Sequence, residues 1–492
     1  MEITAHQYDN IKNVNREAHT SISIERYQIF CILYVIATFF HLIKNREMDS
    51  DFSMFILTLS GVFLLFKPKS ILRFTIFLLL QLLVIFIHMP LVSNHWIFTA
   101  FVSATILQAL LVHIFNTRSF EINRGDLYET FAPVVRIQLL ILYFFVVFHK
   151  LNYDFFNIDV SCATMLMKET RGMSLLPLSP AFYAINAYFT IFIELLIPLL
   201  LVFRKTRNTG VLIGLCFHNV IAYSSYNGFY DFSSMIFALY FLFADDRFTI
   251  KISNTLQHLN EIKQNIADKI TLIKNGLSVF NFYNFTLITS LILGGLIVVL
   301  LIQFVMKDYV LLLWAAYSCT FIVFYLIAIR KSPIQKYDTR RKLLGLPYVS
   351  LAIIPILVII NGMSPYLGLK TENSFAMFSN LRTEGGISNH FFMTPAFQLF
   401  DYQKDLVEIT HTSDPVLQKS INNNQLITFF DLKQRVSIAH PKEVDYIYKN
   451  EYHTFRAGGP DTEGLLNRNP LLLRKILRFR PIDKSGNQSC GH

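Results

Sequence analysis

Apolar runs long enough to cross a lipid bilayer recur along most of this 492-residue chain. A spanning helix needs about 20 mostly apolar residues, because the hydrocarbon layer is about 30 Å thick and each residue rises about 1.5 Å. This length gives candidate spans at 27–43, 52–66, 71–89, 97–116, 133–148, 182–203, 209–226, 231–244, 285–306, 309–329 and 347–363. The runs at 52–66, 133–148 and 231–244 are short, so the prediction is nine to eleven transmembrane helices.

The composition indicates the same class of protein. Hydrophobic residues make up 53% of the chain and charged residues only 16%, whereas a soluble domain carries roughly 25% charged residues. These values exclude a disordered chain, a collagen, a coiled coil and an ordinary cytosolic enzyme. The net charge of +10 comes largely from short loops between apolar runs. We therefore interpret it as a topology signal, with the lipid bilayer as partner and no nucleic acid.

The distribution of basic residues predicts the orientation. With the N-terminus inside, the inner segments hold 23 Lys and Arg and the outer loops hold 6. Cytoplasmic loops of membrane proteins carry the excess of Lys and Arg. We expect an integral, multi-pass membrane protein with a cytoplasmic N-terminus and a C-terminal domain on the outer (periplasmic, extracellular or lumenal) face.

The predicted fold class is an all-α polytopic membrane bundle followed by a C-terminal extramembrane domain with β content. The segments are an inner N-terminal segment 1–26, a transmembrane domain 27–248, an amphipathic inner-surface segment 249–284, additional transmembrane helices 285–363, and the outer domain 365–492. The amphipathic segment is equally consistent with a connector packed on the bundle. In the outer domain, 405–411 and 425–439 have strand character, and 471–481 is a short basic helix candidate.

Several polar side chains occur inside or at the ends of the predicted spans, where ionisable groups are costly and often functional. They are Asn94, His95, His149, Lys150, Glu194, His218 and Asn219. The topology places Asn94, His95 and Lys150 at one depth near the outer surface, with His218 deeper.

Structural roles are also consistent with these positions. Lys150 at a span end is typical of a snorkelling anchor, and a lone His is often a hydrogen-bonded core residue. We expect Glu194 to pair with a His, Tyr or Arg. His41, His88 and His113 lie near span ends, where we expect solvated or interfacial side chains. The chain has no HxxxH, CxxC, GxSxG or phosphate-binding glycine loop, so no metal site is predicted.

Three motifs carry a family resemblance. They are SNHWIF, FFVVFHKLNYDFFNIDVSCA and IGLCFHNVIAYSSYNGFYDFSSMIFALYFLF. In this order they resemble the vitamin K-dependent gamma-carboxylases and, more broadly, their bacterial relatives, the HTTM (horizontally transferred transmembrane) family. The similarity covers roughly residues 20–250 and extends to SFAMFSNLRTEGGISNHFF at 374–392.

The resemblance implies site residues. Lys150, followed by LNYDF, matches the catalytic base of the carboxylases, and His95 and His218 match their catalytic histidines. Asn94 and Arg136 have family counterparts as supporting residues. We add His149, Glu194 and Asn219 as supporting residues from their positions. His149 departs from the vertebrate enzymes, which have a second Lys there, and no propeptide-binding region is identifiable.

The resemblance also implies a reaction, cofactors and partners. In the family, the Lys deprotonates a reduced vitamin K-type quinol, and O2 converts the quinol into a strong base that removes a Glu γ-proton. CO2 adds to the resulting carbanion, and the quinone leaves as its epoxide. The expected co-substrates are therefore the quinol, O2 and CO2, with no metal, and the expected partner is an exported peptide or protein.

Other functions remain open from the sequence. The chain is also consistent with a non-carboxylating HTTM protein that assists maturation or export of a peptide. A transporter is less favoured because no inverted repeat is visible. Cys162 and Cys490 both fall on the predicted outer side, where they could pair.

Overall fold

The computed structural model describes residues 5–44, 51–170, 179–224, 228–258, 261, 306–331, 343–461 and 464–491. Most of the predicted amphipathic segment 249–284 and all of the predicted span 285–306 except Met306 lie outside these ranges. Residues 249–258, which begin the amphipathic segment, are helical.

Helices dominate the first part of the chain. They are α1 Ala5–Lys44, α2 Phe52–Phe66, α3 Ile71–His88, α4 Asn94–Thr117, α5 Arg124–Phe148, α6 Tyr153–Phe156, α7 Cys162–Lys168, α8 Pro180–Val202, α9 Arg207–Ile221, α10 Tyr230–Phe241, α11 Met306–Lys331 and α12 Ile353–Leu367. Within the described ranges, seven helical segments are long and apolar enough to cross a membrane. The chain is therefore a multi-pass membrane protein with fewer full-length spans among these residues than the nine to eleven predicted.

Three predicted spans form shorter helices. α2 and α9 have 15 residues each and α10 has 12. Every residue of α10 except Phe232 is buried. A helix enclosed by other helices contacts no lipid, so its length need not match the bilayer thickness.

Hydrogen bonds between loops define the two ends of the bundle. At one end, Asn94 accepts a hydrogen bond from the amide of Phe375, and Asn373 donates to the carbonyl of Pro90. At the other end, Arg26 pairs with Asp246, and Arg124 donates to the carbonyl of Lys69. These contacts place the 90–94 segment beside the C-terminal region at one end, and bring residues near 26 and 246, and near 69 and 124, together at the other.

The C-terminal region begins beyond α12 and contains a five-stranded antiparallel sheet. Its strands are β1 Leu406–Thr412, β2 Gln425–Thr428, β3 Glu443–Tyr448, β4 Glu451–Arg456 and β5 Ile482–Asp483, in the order β4-β3-β1-β2-β5. The helices of this region are α13 Pro415–Asn422, α14 Phe429–Ala439 and α15 Leu471–Ile476. The predicted β content, the strand at 405–411 and a helix within 471–481 are confirmed.

The prediction of strand over all of 425–439 is wrong beyond Thr428. The hydroxyl of Thr428 accepts a hydrogen bond from the amide of Asp431 and caps α14. Leu432 and Val436, one helical turn apart, are both fully buried. The cap and the four-residue apolar spacing favour a helix over the β propensity of the same residues.

A disulfide between Cys162 and Cys490 joins α7 to the C-terminal region. Asn380 supports the same junction, because its side chain accepts from the amide of Cys162 and donates to the carbonyl of Gln488. The end of the bundle near α7 is therefore fixed to the C-terminal region both covalently and through hydrogen bonds.

Candidate functional site

A cavity of about 290 Å³ lies in the bundle, at the end nearest the C-terminal region. Its walls are mostly apolar and aromatic, with a small number of polar groups. The polar lining residues predicted from the sequence are Asn94, His95, Lys150, Glu194 and His218. The structure thus brings all three predicted catalytic residues into one cavity.

Lys150 is held at the wall by a tight turn after α5. Asn152 organises this turn, because its side chain accepts from the amide of Phe155 and donates to the carbonyls of His149 and Ser379. His390 donates from Nε2 to the carbonyl of Phe148. Its Nδ1 atom accepts from the amides of Phe392 and Met393, which requires a neutral ring, and burial favours that form by lowering the pKa of His390. The C-terminal region therefore helps to position Lys150.

Lys150 forms an ion pair with Glu194 of α8. The Nζ atom lies 2.6 Å from each carboxylate oxygen, and both residues are buried. The ring of Phe155 lies 5.9 Å from the same Nζ atom. The alternative role of Lys150 as a snorkelling anchor is thus wrong, because the side chain turns inward to a carboxylate. The expectation that Glu194 pairs with a His, Tyr or Arg is wrong for the same reason.

His218 begins a chain of phenol groups on the opposite wall. Its Nε2 atom lies 2.9 Å from the hydroxyl of Tyr143, which also contacts the hydroxyl of Tyr240. His218 Nδ1 is buried and has no hydrogen-bond partner. This nitrogen is therefore available to a bound molecule, and the phenols fix the ring orientation from the other side.

His95 contacts a buried carboxylate on its far side. Its Nε2 atom lies 2.9 Å from Oδ2 of Asp231 and 3.0 Å from Nδ1 of His41. Lys44 contacts the other oxygen of Asp231 at 3.0 Å. His95 Nδ1 is buried without a hydrogen-bond partner. His95 therefore belongs both to the large cavity and to a second polar cluster behind it.

Three predicted supporting residues do not line the cavity. His149 is buried between the hydroxyl of Tyr366 and the carbonyl of Ser374. Arg136 lies at the other end of the bundle, where it donates to the carbonyls of Leu242 and Leu343. Asn219 is absent from the lining, although its neighbour His218 is part of it. Adjacent helical residues face different directions, which a linear motif does not reveal.

The cavity extends toward the lipid-facing surface between α8 and α9. Asn186, Thr190 and Glu194 line it from one face of α8, because they are spaced four residues apart. Phe189 of α8 and Val220 of α9 also line it, yet they are 53% and 54% exposed. These two residues therefore contribute both to the cavity and to the outer surface of the part of the chain that the structure describes.

Other residues of the site were missed from the sequence. His41 was expected to be solvated or interfacial but is only 4% exposed. Asp231, Tyr143 and Tyr240 were not singled out, although each is a polar residue in an apolar run. A carboxylate in such a run was the available signal for Asp231.

The arrangement supports proton transfer in an apolar enclosure. It supplies an amine, a carboxylate and two imidazoles around a space for a small hydrophobic ligand. His41, His95 and Asp231 place three potential metal-ligand atoms within 4.8 Å of one another. Comparison of the chain with protein families, curated proteins and solved structures finds no match.

Proposed function

We propose that this protein is a membrane enzyme, similar to the vitamin K-dependent gamma-carboxylases, that couples quinol epoxidation to carboxylation of Glu in an exported protein or peptide. The observation that carries the proposal is the convergence of Lys150, His95 and His218 on one apolar cavity. These residues come from distant parts of the sequence and match three separate family motifs.

The cavity suits a quinol headgroup in size and chemistry. Small-molecule sites typically have volumes of about 300–1,000 Å³ and mostly apolar walls with few polar groups. The volume of about 290 Å³ lies just below the lower limit of that range. Phe155 and Phe232 offer aromatic surfaces, and a ligand that arrives from lipid would enter beside Phe189, which lines the cavity and is exposed on the outer surface.

The bound quinol would supply the reducing equivalents, because its reaction with O2 gives quinone epoxide and water. In the coupled reaction, the Glu γ-carbon loses a proton and gains CO2 as a carboxylate. Lys150 would hold the proton that leaves the quinol hydroxyl. The ion pair with Glu194 bears directly on this role, because the amine accepts a proton only after transferring one to the carboxylate. Burial disfavours two separate charges and brings the neutral amine and acid closer in free energy.

The histidines would orient the bound quinol and stabilise the negative charge that develops on it. His218 has Nδ1 free of protein partners, while its Nε2 is held by Tyr143. Asn94 uses its side-chain oxygen to fix the Phe375 loop, so its role is to shape the cavity. The apolar wall would exclude water, which protects strongly basic species from being protonated by solvent.

The proposed orientation places the N-terminus in the cytoplasm and the cavity end on the outer face. The disulfide between Cys162 and Cys490 supports it, because such bonds persist mainly in oxidising compartments. The peptide substrate would then meet Lys150 from the side of the C-terminal region.

The test is epoxide formation by the full-length protein in lipid nanodiscs. The assay supplies a reduced naphthoquinone, O2, labelled CO2 and a Glu-rich peptide, and compares wild type, Lys150→Ala and the control Lys168→Ala. Wild type and Lys168→Ala should form epoxide and labelled peptide, and Lys150→Ala should form neither. The absence of epoxide from every sample would reject the proposal.

The second candidate is a non-carboxylating HTTM-like protein that assists maturation or export of a peptide. The direct contact between Lys150 and Glu194 favours it, since a paired ammonium is not a free base. Binding of an exported peptide without epoxide formation would support this candidate.

A further inference from the structure

We propose that His41, His95 and Asp231 bind one divalent transition-metal ion. The inference goes beyond the proposed function, which requires no metal. The three residues belong to α1, α4 and α10, and all are buried. No spacing motif in the sequence connects them, since each contributes a single ligand atom from a separate helix.

The distances between the potential ligand atoms suit a metal ion. His41 Nδ1 and His95 Nε2 are 3.0 Å apart, His95 Nε2 and Asp231 Oδ2 are 2.9 Å apart, and His41 Nδ1 and Asp231 Oδ2 are 3.4 Å apart. Metal bonds of about 2.0–2.2 Å at angles between 90° and tetrahedral separate neighbouring ligand atoms by about 2.8–3.6 Å. The three atoms therefore form a triangle of the required size.

Hydrogen bonds alone do not make all three contacts between these atoms attractive. If both imidazole nitrogens carry hydrogens and donate to Asp231, the two N–H groups face each other at 3.0 Å. If His95 Nε2 donates to His41 Nδ1, that nitrogen presents a lone pair to the carboxylate 3.4 Å away. While Asp231 is an ionised carboxylate, every placement of protons on the two rings leaves one repulsive contact. A central cation makes all three contacts attractive.

A small cavity lies at the same point. It has a volume of about 10 Å³ and is lined by His41, His95 and Asp231 together with residues such as Thr99 and Met235. A volume of about 10–15 Å³ admits one water-sized occupant. The cavity is thus large enough for one ion and too small for an organic ligand.

The ligand set indicates the class of ion. Two imidazole nitrogens and one carboxylate oxygen suit Zn²⁺, Fe²⁺ or Co²⁺ rather than Ca²⁺ or Mg²⁺, which prefer oxygen ligands. The ammonium of Lys44 forms an ion pair with Oδ1 of Asp231, so the carboxylate would bind the metal ion through Oδ2 alone. The ammonium also repels a cation, so Lys44 should weaken the site without blocking it.

Supporting contacts orient the ligands. The indole of Trp96 stacks on the ring of His41 with centroids 3.8 Å apart. The hydroxyl of Ser93 lies 3.1 Å from Nε2 of His95, and it would give up this contact when Nε2 binds the ion. An ion at this point would cross-link the fully enclosed α10 to two long helices, and it would fix the His95 ring at the wall of the large cavity.

The experiment measures metal content and affinity of the full-length protein in nanodiscs. Wild type, His41→Gln, Lys44→Met and the control His113→Gln are each treated with chelator, then titrated with Zn²⁺ and, separately, with Co²⁺. We expect wild type and His113→Gln to bind about one ion per chain, and His41→Gln to bind at least ~10-fold more weakly. Co²⁺ should give visible d–d absorption in wild type.

Lys44→Met keeps the test decisive if His41→Gln fails to fold. Removal of the competing ammonium should increase Zn²⁺ affinity relative to wild type. Folded wild type that binds neither ion, or a Lys44→Met variant that binds no tighter than wild type, would overturn the inference. Metal binding without quinol epoxidation would reject only the proposed enzyme function, so the two failures are distinguishable.

Discussion

The ammonium of Lys150 lies 2.6 Å from both carboxylate oxygens of Glu194, inside the helical bundle. This contact changes what substitution of Lys150 should do. A lysine in solvent is removed at little cost, whereas loss of one partner from a buried ion pair costs about 3–5 kcal/mol.

Lys150→Met should lower the thermal stability of the protein, because it leaves Glu194 as an uncompensated buried charge. The double variant Lys150→Met/Glu194→Gln should recover most of the loss. Thermal unfolding of the four proteins of this double-mutant cycle, in one detergent, measures the coupling. Equal stability of Lys150→Met and wild type would show that the pair contributes nothing to folding.

The cysteines give a chemical test of the bundle's connection to the C-terminal region. Denatured, unreduced protein should incorporate alkylating reagent only at Cys31, Cys216 and Cys319, and reduced protein at all five cysteines. Mass spectrometry counts the adducts. Cys490→Ser should destabilise the junction by about 2–5 kcal/mol. Five adducts before reduction would contradict the pairing.

Filling the cavity should block ligand access without unfolding the bundle. Thr190→Trp places a bulky ring in the lining of α8, whereas Ile185→Trp changes a residue of the same helix that is 64% exposed. We expect loss of naphthoquinone-induced thermal stabilisation in Thr190→Trp and wild-type behaviour in the control. Equal ligand response of the two variants would place the ligand elsewhere.

Gly214 allows α9 to approach the phenol chain. An added Cβ would collide with the ring and hydroxyl of Tyr240, which is fully buried. Gly214→Ala should therefore cost about 1–3 kcal/mol and disturb the contact from Tyr143 to His218. The control Gly491→Ala meets no atom within 4 Å and should leave thermal stability unchanged.

The C-terminal region should lose stability as the pH rises toward neutrality. Burial raises the pKa of Asp431 from 3.8 to about 7, partly opposed by Thr428. Between these values the folded state binds more protons than the unfolded state, so stability falls with increasing pH. Hydrogen exchange of β2 and α14 in the full-length protein should follow this trend. In Asp431→Asn the dependence should be weaker, and an unchanged profile would exclude Asp431 as its source.

Much of the bundle could be predicted because bilayer thickness imposes one length on every lipid-facing helix. The sequence could not distinguish α10 from a short span, since a helix wrapped by protein has the same apolar composition. The strand-to-helix change at Thr428 was missed because a single capping hydroxyl decides it within a stretch of high β propensity.

The sequence allowed several residues of the site to be identified, but it did not show which of them contact one another. Lys150, His95 and His218 were identified as polar residues in costly positions, and they share a cavity. Glu194 was recognised without its partner, because α5 and α8 are separated by a long connection. His41 was expected at the interface and Asp231 was not singled out for a similar reason: helix packing, rather than sequence spacing, brings their ligand atoms together.

The disulfide between Cys162 and Cys490 closes the chain between these two residues into a covalent ring. The ring contains helices α8 to α12 and the whole β-sheet. A single backbone cut anywhere inside that ring would leave both fragments attached to each other. A protease could therefore cut the chain and loosen the wall around Lys150 while the C-terminal region stays attached to the bundle.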